Sequence, residues 1–299
     1  MNTREPVVAN DEQCILGEGP VWDATRNRLL WVDIRRGMVF TGKLQPDGTV
    51  TTTDRFEFDQ TVGAVAVAVN GDLLIAGADR LIVRHPDGDI DLGPSILPPS
   101  SGRRLNDGKV DMQGRFVVGT LCLTGESNSE ILVRVDQDSE THVIDDDLTL
   151  SNGLAWAPNG YRFYSIDTLR QVVYSRSYYP DGALGPRTEF LRVSEGYPDG
   201  MCLDAEDHLW IAMWGLGEVR RYSPTGELVQ TVTVPAPHVS SVSFAGPLLE
   251  TLVITTATQD LSDEQLEQFP FSGHLFTVEP GVLGLPQLPW RGFAPSFTK

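Results

Sequence analysis

The sequence predicts an all-β protein built from six similar units, and three observations support this prediction. Short runs of β-branched and aromatic residues dominate the chain, whereas helical patterning is nearly absent. Turns of the Pro-x-Gly type separate many of these runs, because proline presets φ and glycine allows a positive φ. A small residue that opens an apolar strand recurs every 41–47 residues. This period, with several strands in each unit, is typical of a six-bladed β-propeller.

The repeat is defined by the residue at the start of the first strand of each unit. These starting residues are Gly19, Gly63, Gly108, Gly153, Gly200 and Ser241. A turn and a second apolar strand follow each of them. A pair of β-sandwiches gives no reason for so constant a period, and the chain shows no linker or low-complexity segment. We therefore expect one six-bladed domain over residues 1–299.

Two further segments complete the expected architecture. Residues 6–16 (PVVANDEQCIL) precede the first unit, and we expect them to pair into the last blade. Such pairing closes the ring and removes exposed sheet edges. Residues 260–268 (DLSDEQLEQ) are expected to form a short helix at the surface.

Charge and composition exclude several classes of function. The chain has 23 basic and 41 acidic residues and a formal net charge of -18. A surface this acidic repels phosphate backbones and anionic lipids, so neither nucleic acid nor a membrane is expected as a partner. No apolar run approaches the ~18 residues of a membrane helix, and the N-terminus lacks the pattern of a secretory signal.

The cysteines predict a reducing compartment. Cys14, Cys122 and Cys202 are odd in number, lie far apart and do not have zinc-finger spacing. We expect reduced, mostly buried thiols in a cytoplasmic protein. The oligomeric state is left open.

Polar residues recur directly before the starting residue of each unit. In a β-propeller the first strand of each blade lines the central channel, so these residues should converge at one mouth of the channel. They are Glu18, Val62, Asp107, Asn152, Asp199 and Ser240. Four of them carry a carboxyl or amide oxygen, and such oxygens bind hard divalent cations such as Ca²⁺ or Mg²⁺. Each position alone is also compatible with an ordinary turn, but the shared phase favours a metal site.

Several motifs in this phase resemble the SMP-30/gluconolactonase/regucalcin family of six-bladed propellers. The matching segments are LGEGPVWD (16–23), LLWVDI (29–34), RRLNDGKVDMQGRFVVGT (103–120), LSNGLAWAPNG (150–160), YSIDT (164–168), YPDGMCLDAEDHLWIA (197–212), GPLLETLVITTA (246–257) and PGVLGLP (280–286). The resemblance covers nearly the whole chain in order. It implies hydrolysis of sugar-acid lactones with one divalent metal ion. We expect Ca²⁺ first, with Mg²⁺, Mn²⁺, Zn²⁺ or Fe²⁺ as alternatives.

The same resemblance assigns roles to individual residues. It implies that the metal ligands are Glu18, Asn152 and Asp199. It also implies that Arg104 and Asn106 contact the substrate, and that Asp199 is in addition the general base. The strict repeat phase selects Asp107 rather than its neighbour Asn106, and we interpret Asp107 as a supporting or structural residue.

The chain departs from the family pattern after Gly119-Thr120. Animal members have an acidic residue there that touches the substrate, whereas the aligned position in this chain is Thr124, with Glu126 nearby. The sugar lactone therefore stays open among glucono-, xylono-, arabino- and galactono-lactones.

Three further residues near the expected mouth have two interpretations each. Trp214 forms an apolar wall of the pocket or packs within its blade. His238 points into the mouth or belongs to a solvated loop. Asp167, at the end of a second strand, is expected to be structural, with contact to the pocket as the alternative.

Lactone hydrolysis fits these residues chemically. A bound cation would polarise the ester carbonyl and stabilise the oxyanion, and Asp199 would accept a proton from the attacking water. Two alternatives remain, namely a metal-dependent propeller hydrolase of phosphoesters or organophosphates, and a non-enzymatic calcium-binding propeller. The sequence has no nucleophile elbow before a helix, no P-loop and no Gly-x-Gly-x-x-Gly after a strand. No cofactor beyond the metal is therefore expected.

Overall fold

The computed structural model describes residues 5–294, and this part of the chain contains 24 strands and one helix. The first strand, β1 (Val7–Val8), precedes the first blade. Blade 1 consists of β2 (Gly17–Asp23), β3 (Arg28–Asp33), β4 (Met38–Leu44) and β5 (Val50–Glu57). Blade 2 consists of β6 (Ala64–Val67), β7 (Leu73–Ala76), β8 (Arg80–Arg84) and β9 (Ile90–Ser95). Blade 3 consists of β10 (Arg103–Val110), β11 (Phe116–Cys122), β12 (Glu130–Val135) and β13 (Thr141–Leu148).

The second half of the chain repeats this plan. Blade 4 consists of β14 (Ser151–Trp156), β15 (Arg162–Asp167), β16 (Val172–Ser177) and β17 (Thr188–Arg192). Blade 5 consists of β18 (Tyr197–Leu203), β19 (Leu209–Trp214), β20 (Glu218–Tyr222) and β21 (Leu228–Thr233). Blade 6 contains β22 (Val239–Ala245), β23 (Thr251–Thr256) and β24 (Phe276–Val278), with helix α1 (Asp263–Gln268) between β23 and β24.

These elements confirm the predicted six-bladed β-propeller. Each blade is a four-stranded antiparallel sheet in which the first strand of the unit is innermost, and the inner strands of successive blades contact one another around the ring. The predicted domain also includes residues 1–4 and 295–299, which lie outside the described residues. Within residues 5–294, no helix is long and apolar enough to cross a membrane.

The predicted closure by the N-terminal segment and the predicted surface helix are both confirmed. Strand β1 pairs with β24, where Val7 lies opposite Thr277, so the start of the chain supplies the fourth strand of blade 6. Helix α1 begins after Ser262, whose side chain accepts a hydrogen bond from the Gln265 amide in a capping box. The helix buries no residue.

The hydrophobic core lies between neighbouring blades. Leu74 of blade 2 and Phe116 of blade 3, for example, belong to one cluster of fully buried side chains. Between blades 5 and 6, the rings of Trp210 and Phe244 meet edge to face, with their centroids 6.0 Å apart. Because each sheet packs against the next, every blade depends on its two neighbours for burial.

A C-terminal segment closes one end of the channel. The inner strands enclose a cavity of about 170 Å³, and residues 285–289 form one of its walls. The Gln287 side chain accepts a hydrogen bond from the Trp22 amide of blade 1 and donates one to the Ser243 hydroxyl of blade 6. The Trp290 amide donates to the Val67 carbonyl of blade 2. This segment therefore ties together several blades at the end opposite the polar ring.

The starting glycines of blades 4 and 5 allow the inner strands to approach closely. A Cβ on Gly153 would lie 2.5 Å from the Asp199 carbonyl oxygen of the next blade. A Cβ on Gly200 would lie 2.8 Å from the Cα of Ser241. Real Cβ atoms do not approach backbone so closely, so glycine is needed at these two positions.

We expect Gly153→Ala to destabilise the protein by about 1–3 kcal/mol, because the added methyl group would push two inner strands apart. Urea unfolding measures this change. The matched control is Gly185→Ala, where the nearest atom to the added methyl group is the Ser177 Cβ at 3.1 Å. Equal unfolding midpoints for the two variants would contradict the close approach of the inner strands.

Candidate active site

Irregular pairing of the inner strands positions the polar residues at one mouth of the channel. Five of the six inner strands (β2, β10, β14, β18 and β22) shift their register near the ring position. The shift follows Glu18 in β2 and Asn152 in β14, and it spans Asp199 in β18. A bulge of this kind re-aims side chains, and it recurs here at the point where the blades converge.

Glu18 and Asp199 form a pair of buried carboxylates at this mouth, with exposed fractions of only 5% and 6%. Burial raises the pKa of both groups well above its usual range, and the Asp107 charge raises both further. The charge of Asp199 also raises the pKa of Glu18. Asp199 Oδ1 is buried without a hydrogen-bond partner among the described residues. Two ionised carboxylates in this arrangement repel each other unless a proton or a cation lies between them.

A series of side-chain hydrogen bonds connects three blades beside these carboxylates. Arg104 Nη1 donates to Asn106 Oδ1 at 2.7 Å, and Asn106 Nδ2 donates to Asn152 Oδ1 at 2.7 Å. Asn152 Nδ2 then donates to Thr168 Oγ1, which donates to the Pro198 carbonyl next to Asp199. Sequence reasoning did not select Thr168, although it is the last residue of the YSIDT motif. The series holds the Asn152 amide in one orientation.

The donor set fits a hard divalent cation. Asn152 Oδ1 accepts one hydrogen bond from a side chain and keeps a second lone pair. Together with Glu18 and Asp199 it would supply only oxygen ligands, as Ca²⁺, Mg²⁺ and Mn²⁺ prefer. Residues 5–294 contain no group of three or more His, Cys, Asp and Glu side chains placed to hold a metal ion. The candidate centre differs from such a group because its third ligand is an amide.

Arg104 is a buried cation with open donors. Its exposed fraction is 5%, and it forms no close ion pair with any described carboxylate. Its Nη1 group donates to the Leu105 carbonyl and to Asn106, whereas Nε and Nη2 have no partner among the described residues. Burial lowers its pKa to about 10, while Glu18 counteracts this shift. The guanidinium is therefore charged at neutral pH and available to a ligand.

Blade 3 supplies two successive polar residues to the mouth, Asn106 and Asp107. The register shift of β10 lies between Leu105 and Gly108, so both residues are in the bulge. This explains why the repeat phase and the family motif select different residues. Burial raises the pKa of Asp107, and the nearby Lys109 ammonium lowers it. Lys109 also donates to the Met201 carbonyl across the channel at 2.9 Å.

The other two ring residues have structural roles. Ser240 donates from its hydroxyl to the Gly17 carbonyl and so joins blade 6 to blade 1. Val62 is fully buried in an apolar cluster.

Trp214 and His238 stack face to face near the mouth, with ring centroids 4.1 Å apart. Trp214 packs against the apolar cluster that contains Leu16. Its ring therefore has a packing role in addition to its position near the mouth. His238 Nδ1 lies 2.8 Å from the Gln259 carbonyl oxygen and therefore carries the proton. Burial lowers the His238 pKa, which favours the neutral ring.

Asp167 is structural, as expected from the sequence. Its carboxylate accepts hydrogen bonds from the Thr149 and Leu150 amides and pairs with Arg170 at 2.9 Å. Asp33 of blade 1 holds the Ile15 amide in the corresponding way. These two carboxylates anchor the loops that lead into the inner strands.

The segment aligned with the acidic substrate residue of animal members is neutral near the strand end. Thr124 is exposed, and its hydroxyl lies 3.4 Å from Cys122 Sγ. Glu126 is exposed in the loop that follows. A buried carboxylate does lie close by, at Glu130, but Arg103 Nε is 3.1 Å from it and Thr120 donates a hydrogen bond to it.

Comparisons with known proteins agree with this architecture. The family model described as SMP-30/Gluconolactonase/LRE-like region matches residues 16–258. A 6-deoxy-6-sulfogluconolactonase of Pseudomonas putida is 34% identical over 277 residues, which cover 90% of this chain and 93% of that protein. The pentonolactonase XacC of Haloferax volcanii is 31% identical over 93% of this chain and 95% of its own length. A crystal structure of regucalcin, a calcium-binding protein of Agrobacterium tumefaciens, superposes with a TM-score of 0.89 and 25% identity over 97% of this chain and 98% of that one.

We expect Glu18→Gln to stabilise the metal-free protein near neutral pH. The pKa of Glu18 is higher in the folded protein than in the unfolded chain, where it is about 4.5. Above that pH the unfolded chain releases the proton more readily than the folded protein does, so the stability of the wild-type protein falls as pH rises. The amide removes this loss, and its thermal midpoint in EDTA should exceed that of wild type by at least about 2 °C at pH 8. The difference should shrink towards pH 5, where the unfolded carboxyl is also close to protonation.

Thermal unfolding in EDTA between pH 5 and pH 8 measures this effect. Glu126→Gln is the control, because Glu126 is exposed and its removal should leave the pH dependence unchanged. A Glu18→Gln midpoint below that of wild type at pH 8 in EDTA would contradict the repulsion between the buried carboxylates.

Proposed function

Because the chain belongs to the SMP-30/gluconolactonase/LRE-like family, we propose that it hydrolyses a sugar-acid lactone to the free acid with the help of one divalent metal ion. The names of the two curated relatives, a sulfogluconolactonase and a pentonolactonase, support this substrate class. The main structural support is the meeting of two buried carboxylates and a buried, open guanidinium at one channel mouth. The substrate would be a small molecule, and the free cysteines support a cytoplasmic location.

Glu18, Asn152 and Asp199 would hold the metal ion. Their oxygen ligands favour Ca²⁺, and the calcium-binding description of the regucalcin structure supports the same choice. Mg²⁺ and Mn²⁺ suit the same ligands, whereas Zn²⁺ and Fe²⁺ usually take nitrogen or sulfur as well. When bound, a divalent cation polarises the lactone carbonyl and stabilises the negative charge of the tetrahedral oxyanion.

Asp199 would act as the general base. Hydrolysis adds a water oxygen to the carbonyl carbon, breaks the ring C–O bond and places a proton on the leaving ring oxygen. The unpartnered Oδ1 of Asp199 can accept the proton that the attacking water loses. The same proton can then pass to the ring oxygen.

Arg104 would hold the substrate, and Asn106 would orient its neighbours. The open Nε and Nη2 groups of Arg104 suit sugar hydroxyls or an oxyanion. The Asn106 amide already donates to the Ser151 carbonyl and to Asn152, so only its Oδ1 has capacity left for a substrate hydroxyl. Asn106 therefore acts mainly by linking the substrate side of the site to the metal side.

Two other functions make different demands on the site. A calcium-binding propeller without catalysis would need the oxygen ligands, but it would not need the open donors of the buried Arg104. A hydrolase of phosphoesters or organophosphates would use the same cation on a P=O bond. A substrate panel that contains both lactones and phosphorus esters separates the three functions.

We expect purified protein with Ca²⁺ to hydrolyse at least one aldonolactone, and EDTA to abolish the activity. A panel of glucono-, xylono-, arabino- and galactono-lactones, with p-nitrophenyl phosphate and paraoxon beside them, is followed by acid or nitrophenol release. Glu18→Ala should lose both the bound metal, measured by elemental analysis, and the turnover. Glu126→Ala serves as the matched control. Hydrolysis of the phosphorus esters alone, or metal binding without any turnover, would overturn the lactonase proposal.

We expect Asp199→Asn and Arg104→Ala to separate chemistry from binding. Asp199→Asn keeps an oxygen ligand but removes the base, so kcat should fall by at least ~10²-fold, the usual contribution of a general base. Arg104→Ala should retain the metal and mainly raise KM, because its contacts are similar in the ground and transition states. Steady-state kinetics, corrected for spontaneous hydrolysis, and metal content of the same samples measure both effects. Near-normal kcat in Asp199→Asn would rule out the base role, and unchanged kinetics in Arg104→Ala would place the substrate elsewhere.

A further inference from the structure

Arg35 is an exposed cation at the same end of blade 1 as Glu18. It lies in the turn between β3 and β4, and Glu18 pairs with Val32 at the end of β3. Its guanidinium forms no hydrogen bond or ion pair with any described residue. A solvated arginine is ordinary elsewhere on a surface, but this one stands beside the candidate active site.

The neighbouring arginines show that this lack of a partner is not general. Arg36, the next residue, donates to the Gln13 carbonyl at 2.6 Å and lies 3.5 Å from the Asp33 carboxylate. Arg103, next to Arg104, lies 3.1 Å from the Glu130 carboxylate. On each side, therefore, one arginine of a consecutive pair has an acidic partner and the other does not.

The two arginines without acidic partners, Arg35 and Arg104, lie close enough to influence each other. The inner strands of their blades, β2 and β10, contact each other across the ring. The positive charge of Arg35 lowers the pKa of Arg104, although the Glu18 charge raises it more. Blade 2, which lies between their blades, presents only the apolar Val62 at the ring. Two guanidinium groups that repel each other are stabilised by an anion placed between them.

No carboxylate of the adjoining strand offsets this positive charge. Arg104 lies opposite Leu121 in the β10–β11 pair, and the next residues towards the exposed loop include Cys122 and Thr124. The acidic residues Glu18, Asp107 and Asp199 share the ring position. Arg104 precedes that position in β10, and Arg35 follows the end of β3, where Glu18 pairs with Val32. The charge of the mouth therefore changes from negative at the ring, where a cation would bind, to positive farther out, where the two arginines lie.

We propose that the substrate carries an anionic group, namely a carboxylate, sulfonate or phosphate, at the end remote from the lactone carbonyl, and that Arg35 helps to bind it. This inference rests on the lactonase function proposed above. The open Nε and Nη2 groups of Arg104 present two parallel donors, the geometry that suits an oxyanion. Arg35 adds a second charge from the rim. The chain's net charge of -18 repels anions at long range, so an anionic substrate requires such local cations.

Kinetics on matched substrates test this proposal. The substrates share one aldonolactone ring and differ only at C6, which bears a hydroxymethyl, carboxylate, sulfonate or phosphate group. We expect wild-type kcat/KM to be at least about tenfold higher for one of the anionic lactones than for the neutral one. In Arg35→Gln this ratio should fall about threefold to fivefold at low ionic strength, as expected for a partly exposed ion pair, and less in 0.15 M salt.

Arg36→Gln is the matched control, because it removes the same charge from the adjacent position, where the side chain already has an acidic partner. Its ratio of anionic to neutral kcat/KM should equal that of wild type. A wild-type enzyme that prefers the neutral lactone, or equal ratios in the two glutamine variants, would overturn the proposal while leaving the lactonase function intact.

A binding measurement separates this inference from the proposed function. The probes are 1,5-anhydrohexitols, which keep the sugar ring but have no carbonyl to hydrolyse, with either a sulfonate or a hydroxymethyl group at C6. Calorimetric titration in Ca²⁺ should show the sulfonate binding at least about fivefold more tightly, and Arg35→Gln should remove most of that difference. Equal affinities would refute the anion subsite even if lactones are turned over. A tighter sulfonate together with no lactone hydrolysis would refute the lactonase function and keep the subsite.

Discussion

Repulsion between buried carboxylates is the constraint on which the rest of the site depends. The propeller brings Glu18 and Asp199 to one mouth from strands about 180 residues apart in the sequence, with Asp107 beside them. Folding removes these groups from water, which disfavours their charged forms. In the metal-free protein, protonation relieves this repulsion, and the raised pKa values of Glu18 and Asp199 favour it. A divalent cation would relieve it without a proton, so the same repulsion that weakens the metal-free fold would favour metal binding.

The bulges of the inner strands make the polar groups at the mouth differ from one blade to the next. A bulge changes which way consecutive side chains point, and in blade 3 it brings both Asn106 and Asp107 to the mouth. Asn106 then links Arg104 to Asn152, and Thr168 extends the link to the backbone beside Asp199. This series fixes the orientation of the Asn152 amide, so the oxygen proposed to bind the metal is held in place by neighbouring side chains.

The opposite end of the channel has a mechanical role. The segment around Gln287 and Trp290 bonds to blades 1, 2 and 6, while β1 completes blade 6 from the other end of the chain. Each closure includes a bond between residues more than 200 positions apart, namely Trp22 with Gln287 and Val7 with Thr277. They hold the inner strands at a fixed separation, which a site made of one or two groups from each blade requires.

The sequence by itself determined the number of blades, the inner strand of each and the ring position of the polar residues, because a repeat period records local backbone phase. Two of the starting residues, Gly153 and Gly200, lie where the inner strands approach too closely for a Cβ atom. Only the tertiary structure decided which polar groups are partnered. The role of Thr168, the open donors of Arg104 and the lone charge of Arg35 depend on side chains from different blades. A repeat pattern in the sequence does not predict such contacts, because each of them forms only when the ring closes and brings different blades together.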